Sequence, residues 1–229
     1  PNTDGLNVDS STNVLIEHCF FNTGDDCICM KSGMNEDGWR VGKPTENVIV
    51  RYNLTAKGHG GTVFGSDTSG GIRNVYVHSC IFRRTDVGIR LKSTRGRGGV
   101  VEKLWCERID MQDIRREAIQ MTTAYRAWMA TTEGKAPVFR AIHFRDIEVT
   151  GAGQAAMLEG LPEAPIEEVA LTDVRMSANK GLRGKLIDGI RLQNVWIRAQ
   201  EGPAMQCEEC TDLTMDGEAY DAPDTTVIY

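Results

Sequence analysis

The sequence predicts an all-β fold of the solenoid kind, a right-handed parallel β-helix of about seven coils. Three observations carry that expectation: an internal repeat, apolar–polar alternation of period two inside each copy, and the near absence of helical periodicity. Three segments align without gaps: NVLIEHCFFNTGDDCICMKS from Asn13, NVIVRYNLTAKGHGGTVFGS from Asn47 and NVYVHSCIFRRTDVGIRLKS from Asn74. Each opens on Asn-Val, alternates, turns near its middle and enters a second alternating run that closes on Ser. Weaker copies begin at Lys103, Ala141, Glu168 and Gly189. Short strands between turns also suit a sandwich or a barrel. A unit of roughly 30 residues with an asparagine at one fixed offset selects the solenoid. Equivalent offsets should then stack ~4.8 Å apart. Asn13, Asn47 and Asn74 are expected to form an internal amide ladder, and Val14, Val48 and Val75 one inner row. Residues 1–229 read as a single domain. The first residues begin inside a motif, so the chain reads as the C-terminal portion of a longer protein, with further coils ahead of it.

Composition sets the outer limits. The 229 residues are 41% hydrophobic and 25% charged, ordinary for a globular chain. No apolar run approaches the ~18 residues of a membrane helix, and the first residues lack a signal-peptide pattern. Cys27 and Cys29 alternate with Ile28 and read as small core residues. Cys207 and Cys210 make one C-x-x-C without a second pair or a nearby histidine. A zinc site needs about four ligands, so packing or a single bridge is expected there, and no metal or cofactor is assigned. A net charge of -6 argues against nucleic acid as the main partner. Within residues 83–103, however, seven basic side chains stand against Asp86 and Glu102. Such a strip is either a solvated face or a landing surface for an anion.

The stretch NTGDDCICMKSG, Asn22 to Gly33, sets two carboxylates side by side at the edge of an apolar strand. Adjacent carboxylates repel, and burying them is costly. The repeat explains what they join. Asp25 lies twelve residues after Asn13, and His59 twelve after Asn47, so the two should stack on adjacent coils. TDGLNVDS aligns with DDCICMKS, which sets Asp4 one coil below Asp26. Arg90 and Lys92 fall in the matching strand of the next coil. Carboxylates, a histidine and two cations on one sheet face suit hydrolysis of an acidic sugar polymer. One carboxyl can protonate the leaving oxygen while another, ionised, activates water. Crowding of carboxylates supplies both protonation states.

Asn2-Thr3-Asp4, Gly24-Asp25-Asp26, Gly58-His59-Gly60 and Arg90-Leu91-Lys92, in this order and spacing, resemble the polygalacturonases of glycoside hydrolase family 28. The resemblance is strong over residues 1 to about 125. It implies that Asp25 is the general acid, that Asp4 and Asp26 hold and activate water for inversion, and that His59 tunes the acid. It also implies that Arg90, Lys92 and Tyr125 bind galacturonate on the leaving side. The Ser-Gly-Gly loop at 69–71 is similar to bacterial, often exo-acting members. The loops with Trp39 and Arg40, and with Tyr125 and Trp128, are expected either to wall the groove or to pack. The expected protein is a secreted or periplasmic monomer that acts on galacturonan, with neither nucleic acid nor membrane as partner. The rival readings are a rhamnogalacturonan or xylogalacturonan hydrolase, a calcium-dependent pectate lyase, and a non-catalytic polysaccharide-binding solenoid.

Overall fold

A computed structural model describes residues 2–125, 134–220 and 225–228. Its strands in chain order are β1 (Leu6–Asp9), β2 (Thr12–Glu17), β3 (Phe20–Asn22), β4 (Ile28–Lys31), β5 (Thr45–Arg51), β6 (Leu54–Lys57), β7 (Gly60–Gly65), β8 (Ile72–Arg83), β9 (Val87–Lys92), β10 (Val100–Thr122), β11 (Val138–Glu159), β12 (Ile166–Met215), β13 (Glu218–Tyr220) and β14 (Thr225–Ile228). A short helix, α1 (Asn35–Val41), interrupts them between β4 and β5. The three long strands bend around corners and each contributes to more than one face. The groove face stacks β1-β4-β7-β9-β10-β11-β12 in that order. All pairings among the repeats are parallel, with Leu6↔Ile28, Ile28↔Thr62, Thr62↔Ile89, Ile89↔Ile119, Ile119↔Ala156 and Ala156↔Leu182 in register. These seven rungs are the coils that the repeat predicts.

The back face obeys the same offsets. Val14↔Val48, Val48↔Val75 and Val75↔Leu104 are paired in register, and Val48 and Val75 are fully buried. The core is filled by such rows, with Phe64, Phe82, Phe139 and Phe144 among the largest enclosed side chains.

The asparagine ladder exists, but on the outside. Asn47 donates its amide to Asn13 Oδ1 and Asn74 to Asn47 Oδ1, each at 3.3 Å, and all three residues are exposed. Backbone conformation explains the difference. Asn13, Asn47 and Asn74 have φ of 59°, 56° and 55°, and the corresponding Lys103, Ala141, Glu168 and Gly189 are left-handed as well. Five residues further on, His18, Tyr52, Ser79, Arg108, Asp146, Asp173 and Asn194 repeat the conformation. These are the corners of the coil. Asparagine tolerates left-handed backbone better than most residues, and a corner turns its side chain outward.

Cys27 and Cys29 are both fully buried, as their alternation with Ile28 predicts, and the Cys29 thiol donates to the carbonyl of Gly65. The last repeat ends differently. Met205–Glu208 pairs antiparallel with β14, and Leu213–Met215 pairs antiparallel with β13. Cys207 and Cys210 are free thiols, and that of Cys210 lies 3.5 Å from the Glu208 carbonyl.

Candidate active site

Strand register delivers the site. Asp25 N–H bonds the carbonyl of Thr3, His59 N–H that of Asp25, and Val87 N–H that of His59. Asp25, His59 and Asp86 therefore stand in one column. Gly5 N–H bonds the Asp26 carbonyl, which sets Asp4 under Asp26. Gly58 is required here, because a Cβ on it would lie 2.6 Å from the Asp25 carbonyl and 2.6 Å from Cys27 Sγ. A carboxylate oxygen from each of Asp4, Asp25 and Asp26 lies within 4.8 Å of the others.

Each carboxylate has its own partner. Asp4 Oδ2 accepts from Asn7 Nδ2 at 2.9 Å and from Lys31 Nζ at 3.0 Å. Burial opposes ionisation of Asp4, but the Asn7 amide and the Lys31 ammonium outweigh it and hold the carboxyl below its ordinary range. Asp26 is 2% exposed and its Oδ2 meets Lys92 Nζ at 2.7 Å, while its Oδ1 has no hydrogen-bond partner among the described residues. That pair is nearly dry, so its attraction is little screened. Asp25 carries no ammonium partner among the described residues. Its Oδ1 faces His59 Nδ1 at 3.0 Å and accepts the Asp26 backbone N–H at 2.7 Å. On its far side His59 Nε2 lies 4.0 Å from Asp86, which Arg115 holds at 3.1 Å.

Arg90 and Lys92 reach this patch from β9, and both are buried at 8% exposure. Arg90 Nε donates to Gln120 Oε1 at 2.7 Å, and Gln120 Nε2 to Glu117 at 3.1 Å. The guanidinium and the Lys92 ammonium lie 5.3 and 5.5 Å from the centre of the Tyr125 ring, a cation–π arrangement. All seven residues expected from the sequence are thus brought to one face.

Four further contributors lie outside the motifs: Lys31, Asn7, Gln120 and Asp86. Lys31 has a signal in the sequence, since it holds the same strand offset as Lys92. Of the basic strip, only Arg90 and Lys92 serve the patch. Arg95 pairs with Glu163, and Arg97 with Asp67 at 3.3 Å, joining loops. Trp39 is a clamp: its indole donates to the Arg97 carbonyl at 2.8 Å, and Lys135 lies over its ring. With Ser69 Oγ on the same carbonyl at 2.7 Å, three loops fuse into a wall on one side of the groove. Arg40 is exposed and pairs with Asp37. Trp128 lies outside the described residues.

Known proteins resemble this chain in sequence and fold. A probable polygalacturonase of Vitis vinifera is 35% identical over 177 residues, covering 76% of this chain and 36% of that protein. An endo-polygalacturonase of Pectobacterium carotovorum subsp. carotovorum is 29% identical over 179 residues, covering 78% and 41% respectively. The crystal structure of a hyperthermoactive exopolygalacturonase from Thermotoga maritima superposes with a TM-score of 0.76 at 25% identity, across 100% of this chain and 48% of that one. The chain spans between a third and a half of the length of these proteins. The model of Glycosyl hydrolases family 28 matches residues 1–185, so a chain whose coils, carboxylates and cations fall in this order belongs to glycosyl hydrolase family 28.

Proposed function

We propose that this chain carries the hydrolytic centre of an enzyme that cleaves α-1,4-galacturonosyl linkages in pectin and polygalacturonate, with inversion at the anomeric carbon. The observation that carries the reading is the unequal treatment of three clustered carboxylates: ammonium groups hold two, and a histidine holds the third. A carboxylate on an ammonium stays ionised and can accept a proton from water. The one without a cation is the natural proton donor.

Asp25 protonates the glycosidic oxygen as its bond to the anomeric carbon breaks. A water held by Asp4 and Asp26 attacks that carbon from the opposite face and gives its proton to one of them. His59, backed by Asp86, orients the Asp25 carboxyl. Arg90, Lys92 and Tyr125 hold the carboxylate and ring of the leaving sugar. The carboxylate oxygens lie closer together than the ~6.5–9.5 Å common among inverting enzymes. Inversion is supported instead by the pairing of Asp4 and Asp26, two carboxylates on ammonium groups that stack on successive rungs and can hold a water between them. A wall polymer as substrate favours a secreted or periplasmic enzyme, and likeness to the Thermotoga exopolygalacturonase favours exo attack.

The triad's spacing would also admit a cation, which is what a calcium-dependent lyase needs. Lys31 and Lys92 already neutralise two of its three members, which favours hydrolysis. Proton NMR of the first product released from polygalacturonate tests all of this. A β-configured, saturated product formed in the presence of chelator is expected. An α-configured or unsaturated product overturns the reading, and a ladder of oligomers in place of monogalacturonate overturns the exo part.

A further inference from the structure

Beyond the leaving-side cations the groove face continues for three rungs, and its outward side chains can be read from the register. One outward row runs Arg90, Gln120, Met157, Arg183. A second runs Glu117, Gln154, Lys180. Arg183 therefore repeats the position of Arg90 three rungs on, roughly 14 Å away at the ~4.8 Å spacing of paired strands. Lys180 and Arg183 are exposed, while Leu182 between them is in the core. Both residues border a cavity of about 250 Å³ whose other walls include Gln154, Glu201, Pro203 and Gln206. Glu201, Pro203 and Gln206 lie past residue 185, beyond the part of the chain that the family model matches.

Charge singles this cluster out. The neighbouring Lys185 is tied to Glu208 at 2.7 Å, and Arg140 to Glu102. Among the described residues, Lys180 and Arg183 have neither a hydrogen bond nor an ion pair. In a chain with net charge -6, two cations that form no ion pair among the described residues, with Glu208 nearby already bonded to Lys185, attract an anion from outside. Glu117, on an intervening rung, is neutralised by Arg116 and bonded to Gln120, so it does not bar the way. Gln120 and Met157 are uncharged, which leaves the row with cations only at its two ends.

We propose that Lys180 and Arg183, with the amides of Gln154 and Gln206, form a distal binding site for a carboxylate-bearing polysaccharide. It grips the leaving portion several sugars past the bond that is cut. The inference rests on the hydrolytic reading given above. The direction follows from that reading, which puts Arg90 on the leaving side: the carboxylates stand on the first two rungs, His59 on the third and Arg90 on the fourth. The leaving chain therefore runs toward the later rungs. Such a grip favours long substrates and leaves short ones untouched.

The test compares wild type with Lys180→Ala/Arg183→Ala in the full-length enzyme, on polygalacturonate and on digalacturonate, which cannot reach the distal site. Two exposed charge contacts should lower kcat/KM on the polymer roughly 3- to 10-fold. The loss should shrink at high salt, and kcat/KM on digalacturonate should be unchanged. Equal losses on both substrates, or no loss on the polymer, would overturn the proposal. Affinity electrophoresis in gels containing polygalacturonate reads binding without activity. Weaker retardation of the double variant supports the site even if no linkage is cleaved, in which case the hydrolytic reading fails on its own. Unchanged retardation overturns the site. Arg183→Gln, which keeps bulk and loses charge, should weaken retardation, whereas Arg183→Lys should restore most of it.

Discussion

Replacing Lys92 by methionine should separate the structural from the chemical work of one ion pair. Lys92 Nζ lies 2.7 Å from Asp26 Oδ2, with the two side chains only 10% and 3% exposed. The other oxygen of Asp26 has no partner among the described residues. Methionine keeps the stem but removes the sole ammonium on that carboxylate. Breaking a buried pair from one side costs about 3–5 kcal/mol, because an uncompensated charge remains. For a chain of this size, each kcal/mol moves Tm by roughly 2–4 °C. Taking the lower figure, Lys92→Met should melt roughly 6–12 °C below wild type. Lys92→Met/Asp26→Asn should recover most of that loss, since both charges are gone, yet stay severely impaired, because only Asp4 of the water-holding pair is left. Differential scanning calorimetry of the four proteins gives the double-mutant cycle, and reducing-end release gives activity. A single variant that melts with wild type, or a double variant no more stable than the single, would refute the buried-pair reasoning.

Asp25→Asn should lower hydrolysis by at least ~10²-fold while retention on polygalacturonate gels persists, because only the proton donor is lost. Acid stability should depend on Lys31. The Asp4 carboxyl titrates below its ordinary 3.8, so its contribution is present above that pH and disappears as pH falls through the lower folded value. Lys31→Met should therefore reduce urea stability at pH 6 more than at pH 2, and equal losses at both would contradict the assignment. Gly58→Ala should cost about 1–3 kcal/mol and impair activity, since its Cβ would press on the Asp25 carbonyl 2.6 Å away. Asn47→Gly should be nearly neutral by chemical denaturation, whereas Asn47→Val should cost about 1–3 kcal/mol at a backbone φ of 56°.

Offsets counted from Asn13, Asn47 and Asn74 are enough to stack Asp25 under His59 and Asp4 under Asp26, because parallel rungs in register convert sequence offset into height. They do not tell which way a corner residue points, so the asparagine ladder expected inside stands outside. Nor do they measure the reach of a long side chain: Lys31 crosses a rung to Asp4, and Trp39 spans two loops to the Arg97 carbonyl. Pairing of Met205–Glu208 with 225–228 escapes the offsets because those last strands do not belong to the repeat and run antiparallel.

The left-handed corners separate a nearly constant part of each coil, nine to eleven residues long, from a variable one. Ten residues lead from His18 to Ile28, from Tyr52 to Thr62 and from Ser79 to Ile89, corner to groove strand. From the groove strand to the next corner the count swings widely, from Ile28 to Asn47 but only from Leu182 to Gly189. The large length differences therefore fall on the side where the wall of the groove stands. Segments such as 32–44 or 93–99 can be exchanged for others of different length while the carboxylates keep their heights. The scaffold thus uncouples what is cut from how it is cut, and grafting of wall loops between relatives should transfer preference for a polymer without rebuilding the chemistry.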